Sequence, residues 1–174
     1  HPELLDNLAV SLLEKNWDIK ALIKEIILSR SYRQVSSSEN GKASFQTSQR
    51  LPAEAIRDNA LAISGLLVQE IGGASVKPYQ PAGYYRHLNF PTRKYTHHKD
   101  QRQWRRGVYV HWQRQFLHPM MKAFDAPRRE ECTAQRPNSN TPLAALVLLN
   151  DPTSVQAAQA FAKLTLDEGG GSTD

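Results

Sequence analysis

Apolar residues recur at helical spacing at the start of the chain. Leu5, Leu8 and Leu12 lie three or four residues apart, and a second run from Ile19 to Ile27 follows the pattern of an amphipathic helix. Asp18, just before the second run, is a good residue for capping a helix N-terminus. The pattern therefore predicts two helices joined by a short turn, which form an antiparallel hairpin.

A polar stretch and a third helix follow this hairpin. Residues 35–49 are rich in Ser, Gln, Asn and Gly, which predicts a loop. Pro52 then starts a third helix whose apolar positions continue through Leu67, and Gly72-Gly73 marks its end. We expect these first three helices to form the main core.

Proline and aromatic residues replace the helical period between Ala74 and Gln103. This texture predicts a long ordered loop held by aromatic packing, and loops of such length are usually functional or mobile. The next segment, Arg105 to His118, alternates like a strand at Val108 and Val110, yet it also fits one helical face. Because no partner strand is evident, we favour a helix there.

Proline or threonine also marks the start of the remaining helices. Helices are predicted at Pro119 to Phe124, at Leu143 to Leu149 after a cap at Thr141, and at Pro152 to Leu166. The fold class is therefore mainly α: a helical hairpin plus further helices in an irregular bundle, with one long loop and little or no sheet. We expect a single domain over residues 1–168, followed by a flexible Gly-rich tail at 169–174.

Charge adds a modest basic excess to this picture. Lys and Arg number 22 against 17 Asp and Glu. No apolar run approaches the ~20 residues that a membrane-spanning helix needs, so we expect no membrane insertion. The basic residues concentrate between Arg86 and Arg136, among aromatic residues such as Tyr109 and Trp112. This mixture allows nucleic-acid binding as an alternative function, but no recognition-helix or RNA-binding signature accompanies it.

Histidine and cysteine give no catalytic pattern. The chain has six histidines, and none pairs at the i, i+3 or i, i+4 spacing of helical metal ligands, so we expect no protein-bound metal. The single cysteine, Cys132, forms no intrachain disulfide and no Cys-x-x-Cys-His haem attachment site. Nucleophile elbows and phosphate-binding glycine loops are also missing from the sequence. These observations favour a function other than catalysis.

One polar stretch precedes the apolar helix at Leu143. Its candidate ligand-binding residues are Asp125, Arg128, Glu130, Arg136, Asn140 and Thr141. Arginine binds carboxylate or sulfate through paired hydrogen bonds, and a helix N-terminus also attracts anions. The stretch is therefore either a site for a sugar, carboxylate or sulfate, or a salt-bridge network with a structural role. We expect Arg57 and Asp58 of the third helix to join the same network.

Several longer motifs occur in a fixed order. They are HPELLD at residues 1–6, WDIK at 17–20, RLPAEAIRD at 50–58, KPYQP at 77–81 and NTPLAALVLLNDP at 140–152. Together they resemble the planctomycete secreted PSD-one domain family, a domain of unknown function that carries the number 1553. The resemblance spans nearly the whole chain. It departs from the family at residues 135–142, which keep only part of an arginine-rich run before Asn-Thr-Pro.

The resemblance implies a segment of a longer secreted or periplasmic bacterial protein, whose first partners are other domains of the same polypeptide. Such domains often accompany a cytochrome c-like domain, which implies covalent haem in a neighbouring domain and no cofactor in this segment. We therefore expect a non-catalytic helical module that serves as a scaffold or binds anionic polysaccharide. The alternatives are part of a glycan-active enzyme with its site at residues 125–141, and nucleic-acid binding by the basic aromatic segment.

Overall fold

The structure of the protein is a computed structural model. The residues that it describes are 1–33, 50–85, 94–113 and 116–169. They form six α-helices, two 3-10 turns and two isolated parallel bridges, with no longer strand in these ranges. The predicted mainly helical fold class is confirmed. The loop predicted at 35–49 lies outside the described residues. The chain divides into two compact units, residues 1–49 and residues 50–174.

The first unit is the predicted helical hairpin. Helix α1 spans Pro2–Glu14 and α2 spans Ile19–Leu28. The carboxylate of Asp18 caps α2, because it accepts a hydrogen bond of 3.0 Å from the backbone N–H three residues later. Glu25 ties the two helices together by accepting a hydrogen bond of 2.7 Å from the hydroxyl of Ser11.

None of the described residues of the first unit is buried. On α2, Ile19 and Ile23 remain 64% and 48% exposed. Within the hairpin each helix has one neighbour, so the hairpin by itself covers only part of each apolar stripe. The expectation that the first three helices form the main core is therefore wrong for the first two.

The second unit contains the core. Its helices are α3 (Ala53–Ile63), α4 (Pro119–Ala123), α5 (Pro142–Asn150) and α6 (Pro152–Gly169). Helix α3 packs against α4 and α6, and α5 contacts the same two helices. The central cluster consists of Ala53, Val110, Leu117, Met120, Met121, Phe124, Ala126 and Ala144. The single domain over residues 1–168 stays a prediction.

Helix α3 is shorter than its apolar pattern predicts. Gly65 adopts a left-handed φ of +72°, and the backbone N–H groups of Leu66 and Leu67 both turn back to the carbonyl of Leu61. The helix therefore ends before Gly72-Gly73. At the other end of the unit, α6 includes Gly169, the first residue of the predicted tail, and 170–174 lie outside the described residues.

The segment after Trp104 is not a helix. Gln101–Trp104 and Gly107–Tyr109 are 3-10 turns, and Val110 forms a parallel bridge with Val76. The backbone N–H of Val76 donates to the carbonyl of Tyr109 at 2.8 Å. The helix favoured for Arg105 to His118 is wrong for the residues described there, and Val110 pairs instead with Val76 of the proline-rich loop through an isolated bridge.

Residues 103–107 approach α3 closely. A Cβ atom on Gly107 would lie 2.9 Å from the Cα of Glu54, so only glycine fits beside the helix backbone. The N–H of Gly107 also donates to the carboxylate of Asp58 at 2.6 Å. This contact positions the chain that leads into the core at Val110.

Candidate functional site

A cleft of about 470 Å³ opens on the second unit, beside the end of α4. We call it the 117–137 cleft after the first and last residues that line it. Its charged lining residues are Lys122, Asp125, Arg128, Arg129, Glu130 and Glu131. Most of them belong to the irregular stretch that links α4 to α5.

Asp125 anchors this irregular stretch. Its carboxylate accepts hydrogen bonds from the backbone N–H and the hydroxyl of Ser139, each 2.8 Å long, and from the guanidinium of Arg50 at 2.5 Å. These bonds, above all the one from the Ser139 backbone, hold the pKa of Asp125 below its usual value although desolvation opposes them. Asp125 therefore closes the loop between residues 125 and 139 as an ionised group.

Trp112 supports the two neighbouring arginines of the cleft. The guanidinium of Arg129 lies 3.7 Å from the centroid of the Trp112 ring, a cation–π contact. The indole N–H donates to the backbone carbonyl of Arg128 at 3.3 Å. Arg129 also has a left-handed φ of +61°, which bends the turn over the indole. Trp112 thus fixes the turn from which both exposed guanidinium groups project.

The cleft combines cations, acids and a rigid wall. Because Arg50 neutralises Asp125, the three cationic side chains share the cleft with two glutamates. No histidine, serine or cysteine is among its described lining residues, so these residues provide no nucleophile with an adjacent imidazole base. The arrangement can hold a polar ligand that carries acid groups.

The structure brings only some of the predicted site residues together. Those that line the cleft are Asp125, Arg128 and Glu130. Arg136 pairs instead with Glu54 of α3 at 2.7 Å. Asn140 and Thr141 are exposed and do not line the cleft, and the side chain of Thr141 makes no capping hydrogen bond to α5.

Arg57 and Asp58 do not join this network. Arg57 is 1% exposed, and its guanidinium donates to the backbone carbonyls of Arg105 at 2.6 Å and Gln103 at 2.5 Å. Burial lowers the pKa of Arg57 to about 10. Asp58 binds Gly107 instead of the 125–141 stretch. The expectation fails because both side chains face the 103–107 segment.

Arg105 is a second buried arginine with the same role. Its guanidinium donates to the backbone carbonyls of Ala74 and Glu70 at 3.1 and 3.0 Å, and also to that of Gly72. It stacks over the ring of Tyr109 at 4.2 Å. Arg57 and Arg105, which we call the buried arginine pair, therefore bind backbone and hold loops against α3.

The sequence did not single out Lys122 and Trp112 as residues of this site, nor Arg50 and Ser139 as the partners of Asp125. Trp112 carried a weak signal, since it lies among basic residues. Arg50 carried none, because its contact with Asp125 joins distant parts of the chain.

The aromatic residues of the proline-rich loop pack against one another and against Phe116. The rings of Tyr85 and Tyr95 pack edge to face at 5.4 Å, and those of Tyr84 and Phe116 at 5.8 Å, so these aromatic residues stabilise the loop.

Within the described ranges, no three His, Cys, Asp or Glu side chains group closely enough to hold a metal ion. None of the helices described there has both the length and the apolar character that a membrane crossing needs.

Comparison with known proteins identifies the family. Residues 1–172 match the family model of PSD1, described as a protein of unknown function (DUF1553). No curated protein and no solved structure matches the chain. The family resemblance inferred from the ordered motifs is thereby confirmed over almost the full length. The chain belongs to the PSD1 family of proteins of unknown function.

Proposed function

We propose that the second unit is a non-catalytic module that binds an acidic glycan segment in the 117–137 cleft. The observation that carries this proposal is the pair of exposed guanidinium groups, Arg128 and Arg129, on a turn held by Trp112. Because the turn is already fixed, binding costs less conformational entropy than the ordering of a mobile turn would.

The chemistry of the cleft favours carboxylate or sulfate groups on a sugar. A guanidinium binds two oxygens of a carboxylate or sulfate group through paired hydrogen bonds. Glu130 and Glu131 add acceptors for sugar hydroxyls in the same cleft. Its volume of about 470 Å³ falls within the range of roughly 300–1,000 Å³ that is usual for small-ligand sites.

The environment of Asp125 argues for binding over glycan cleavage. A general acid must be protonated near neutral pH, which requires a raised pKa. Hydrogen bonds from Ser139 and Arg50 lower the pKa of Asp125 instead. Asp125 is therefore a poor proton donor and a good anchor.

A second proposal concerns the polypeptide to which this module belongs. We infer that this module belongs to a longer exported bacterial polypeptide in which a neighbouring cytochrome c-like domain carries covalent haem. The support is the family resemblance of the ordered motifs. A Cys-x-x-Cys-His motif elsewhere in the full reading frame would agree with this context, and a full-length protein that binds no haem would contradict it.

Calorimetric titration tests the binding proposal. The ligands are a uronic-acid oligosaccharide, a sulfated oligosaccharide and a neutral oligosaccharide of equal length. We expect only the acidic ligands to bind. The double variant Arg128→Gln/Arg129→Gln should lower their affinity by about tenfold or more, since each paired hydrogen bond to a charged group contributes over 1 kcal/mol.

Arg102→Gln is the matched control. Arg102 is also an exposed arginine, 61% exposed and paired with Asp100, but it does not line the cleft. This variant should keep the affinity of the parent chain. Equal binding of the neutral oligosaccharide, or equal losses in Arg102→Gln and the double variant, would refute a specific acidic-glycan site.

A further inference from the structure

A second cavity, of about 360 Å³, lies in the second unit between the proline-rich loop, α4 and the junction of α5 with α6. We call it the Tyr79 groove. Its apolar walls include Tyr79, Pro81, Pro119, Met120, Leu146 and Val147. The 117–137 cleft shares none of these residues, so the two cavities are separate.

The groove is held in shape by contacts behind its walls. The ring nitrogen Nε2 of His118 donates to the backbone carbonyl of Tyr79 at 2.7 Å, which ties the proline-rich loop to the start of α4. The ring of Tyr79 also packs edge to face on His97 at 5.6 Å. Pro81 and Pro119 restrict the backbone on either side. The walls are therefore set before a ligand enters.

The polar end of the groove offers hydrogen-bond acceptors. Asp151 uses Oδ1 for the N–H groups of Thr153 and Ser154, at 3.0 and 3.3 Å, and Oδ2 accepts no hydrogen bond from the described residues. The amide Nδ2 of Asn150 donates to the carbonyl of Leu146 at 2.8 Å, which leaves Oδ1 as its acceptor. A ligand that satisfies this end must bring donors, and a positive charge complements the carboxylate.

Helix α5, which lines the groove, also carries exposed apolar residues outside it. It is apolar on all sides, yet Leu143 and Leu149 are 58% and 73% exposed. A helix that is apolar all round is normally covered on most of its surface. A partner that spans the groove and these leucines would cover apolar area on α5 as well as in the groove.

We propose that the Tyr79 groove receives a lysine side chain from a partner polypeptide, with apolar residues beside that lysine packed on α5. The ammonium group donates to Asp151 and Asn150, and the four methylene groups lie against the apolar walls. Lysine fits because it joins a compact charge with several donors to a flexible apolar stem. The partner is identified by this chemistry alone.

Nuclear magnetic resonance titration of the whole chain with short acetylated peptides tests this proposal. One peptide has a central lysine flanked by leucines, and its counterpart has norleucine at that position. We expect the lysine peptide to shift the signals of Tyr79 and Asn150, and to bind about tenfold more tightly than the norleucine peptide, the size of one charged hydrogen bond. Equal affinities would overturn the proposal.

Two variants locate the binding site. Asp151→Asn keeps a good cap for α6 and removes the charge, so it should abolish the preference for lysine. Leu146→Lys places a competing ammonium group in the groove at a position that is 54% exposed, and should weaken the lysine peptide about tenfold or more. Leu166→Lys, 74% exposed near the end of α6 and outside both the groove and α5, is the control and should bind like the parent chain.

Free n-pentylamine separates a polypeptide partner from a small amine. It carries the same ammonium group and stem without flanking residues. We expect it to bind at least tenfold more weakly than the lysine peptide, because it covers none of α5. If it binds as tightly as the peptide, or if Leu166→Lys loses as much affinity as Leu146→Lys, the proposed partner is wrong.

Discussion

Two pairs of arginines in the second unit have opposite environments. Arg57 and Arg105 are almost fully buried and donate to backbone carbonyls of neighbouring segments. Arg128 and Arg129 are exposed on a turn that lines the 117–137 cleft. The same side chain therefore serves as an internal hydrogen-bonding support in one place and as a candidate ligand contact in the other.

The difference shows which arginines can bind a partner. A buried guanidinium must find acceptors inside the protein, since an unpaired charge there costs several kcal/mol. The buried pair has done so with backbone carbonyls, which no ligand can displace without opening the fold. The cleft pair meets water and an indole ring, so a ligand can compete for it at low cost.

The largest effect is expected for Arg57→Met. The variant leaves the carbonyls of Gln103 and Arg105 without their donor, and each buried unsatisfied acceptor costs about 1–3 kcal/mol. We expect the free energy of unfolding in urea to fall by about 3 kcal/mol or more. Arg57→Lys, which can still reach one carbonyl, should lose less. A loss below about 1 kcal/mol would mean that the pair does not support the fold.

Gly107→Ala should have the next largest effect. The added Cβ would lie 2.9 Å from the Cα of Glu54, so the 103–107 segment must move away from α3. Overpacking of this kind costs about 1–3 kcal/mol, which thermal unfolding can measure. Gly169→Ala is the control, because nothing lies within 4 Å of its added Cβ. Unchanged stability of Gly107→Ala would contradict the close approach.

A pH dependence of stability is expected from His118, which lies near both Arg57 and Asp151. Burial lowers the pKa of His118, opposed by its bond to Tyr79 and by Asp151 and assisted by Arg57. The unfolded chain, with a histidine pKa of about 6.5, then binds more protons than the folded one. Stability is complete above about pH 6.5 and falls toward the folded pKa, by at most about 1.4 kcal/mol per pH unit.

His118→Gln isolates this contribution. The amide can still donate to the carbonyl of Tyr79, but it does not titrate. We expect the free energy of unfolding in urea, measured for both chains between about pH 7 and pH 5, to depend less on pH in the variant. The reason is that the unfolded parent chain protonates this histidine within that range. Parallel profiles would assign the pH dependence to other groups, such as His98, whose pKa burial also lowers.

The smallest effects are expected for the cleft pair. Arg129→Gln removes the cation–π contact with Trp112, worth about 0.5–1 kcal/mol at an exposed site. Arg128→Gln should change the free energy of unfolding by about 0.5 kcal/mol or less, as surface substitutions usually do. Losses as large as that of Arg57→Met would remove the distinction between supporting and binding arginines.

Local signals predicted most of the helical elements. Asp18 caps α2 and Pro142 and Pro152 begin α5 and α6, because capping and proline preferences act over one helical turn. The end of α3 was misplaced, since apolar residues after Gly65 continue the helical pattern. The conformation of Gly65 is a backbone choice that the apolar pattern does not record.

Long-range contacts account for what the sequence could not predict. The bridge of Val110 with Val76 and the bond of Arg50 to Asp125 join residues far apart in the chain. Asp125 and Arg128 of the predicted polar stretch line one cleft, because they lie only three residues apart in the chain. That this cleft is a binding site stays a prediction. The residues that line the Tyr79 groove come from separate segments of the chain, so no single motif predicts it.

The stack of Arg129 on Trp112 gives the protein an optical reporter of its own. The emission of an indole depends on the charge and polarity next to its ring, and here a guanidinium lies 3.7 Å from the ring centroid. A ligand that draws Arg129 into the cleft would change that emission without any added label. The chain has two other tryptophans, Trp17 and Trp104, and their replacement by phenylalanine would leave Trp112 as the single emitter.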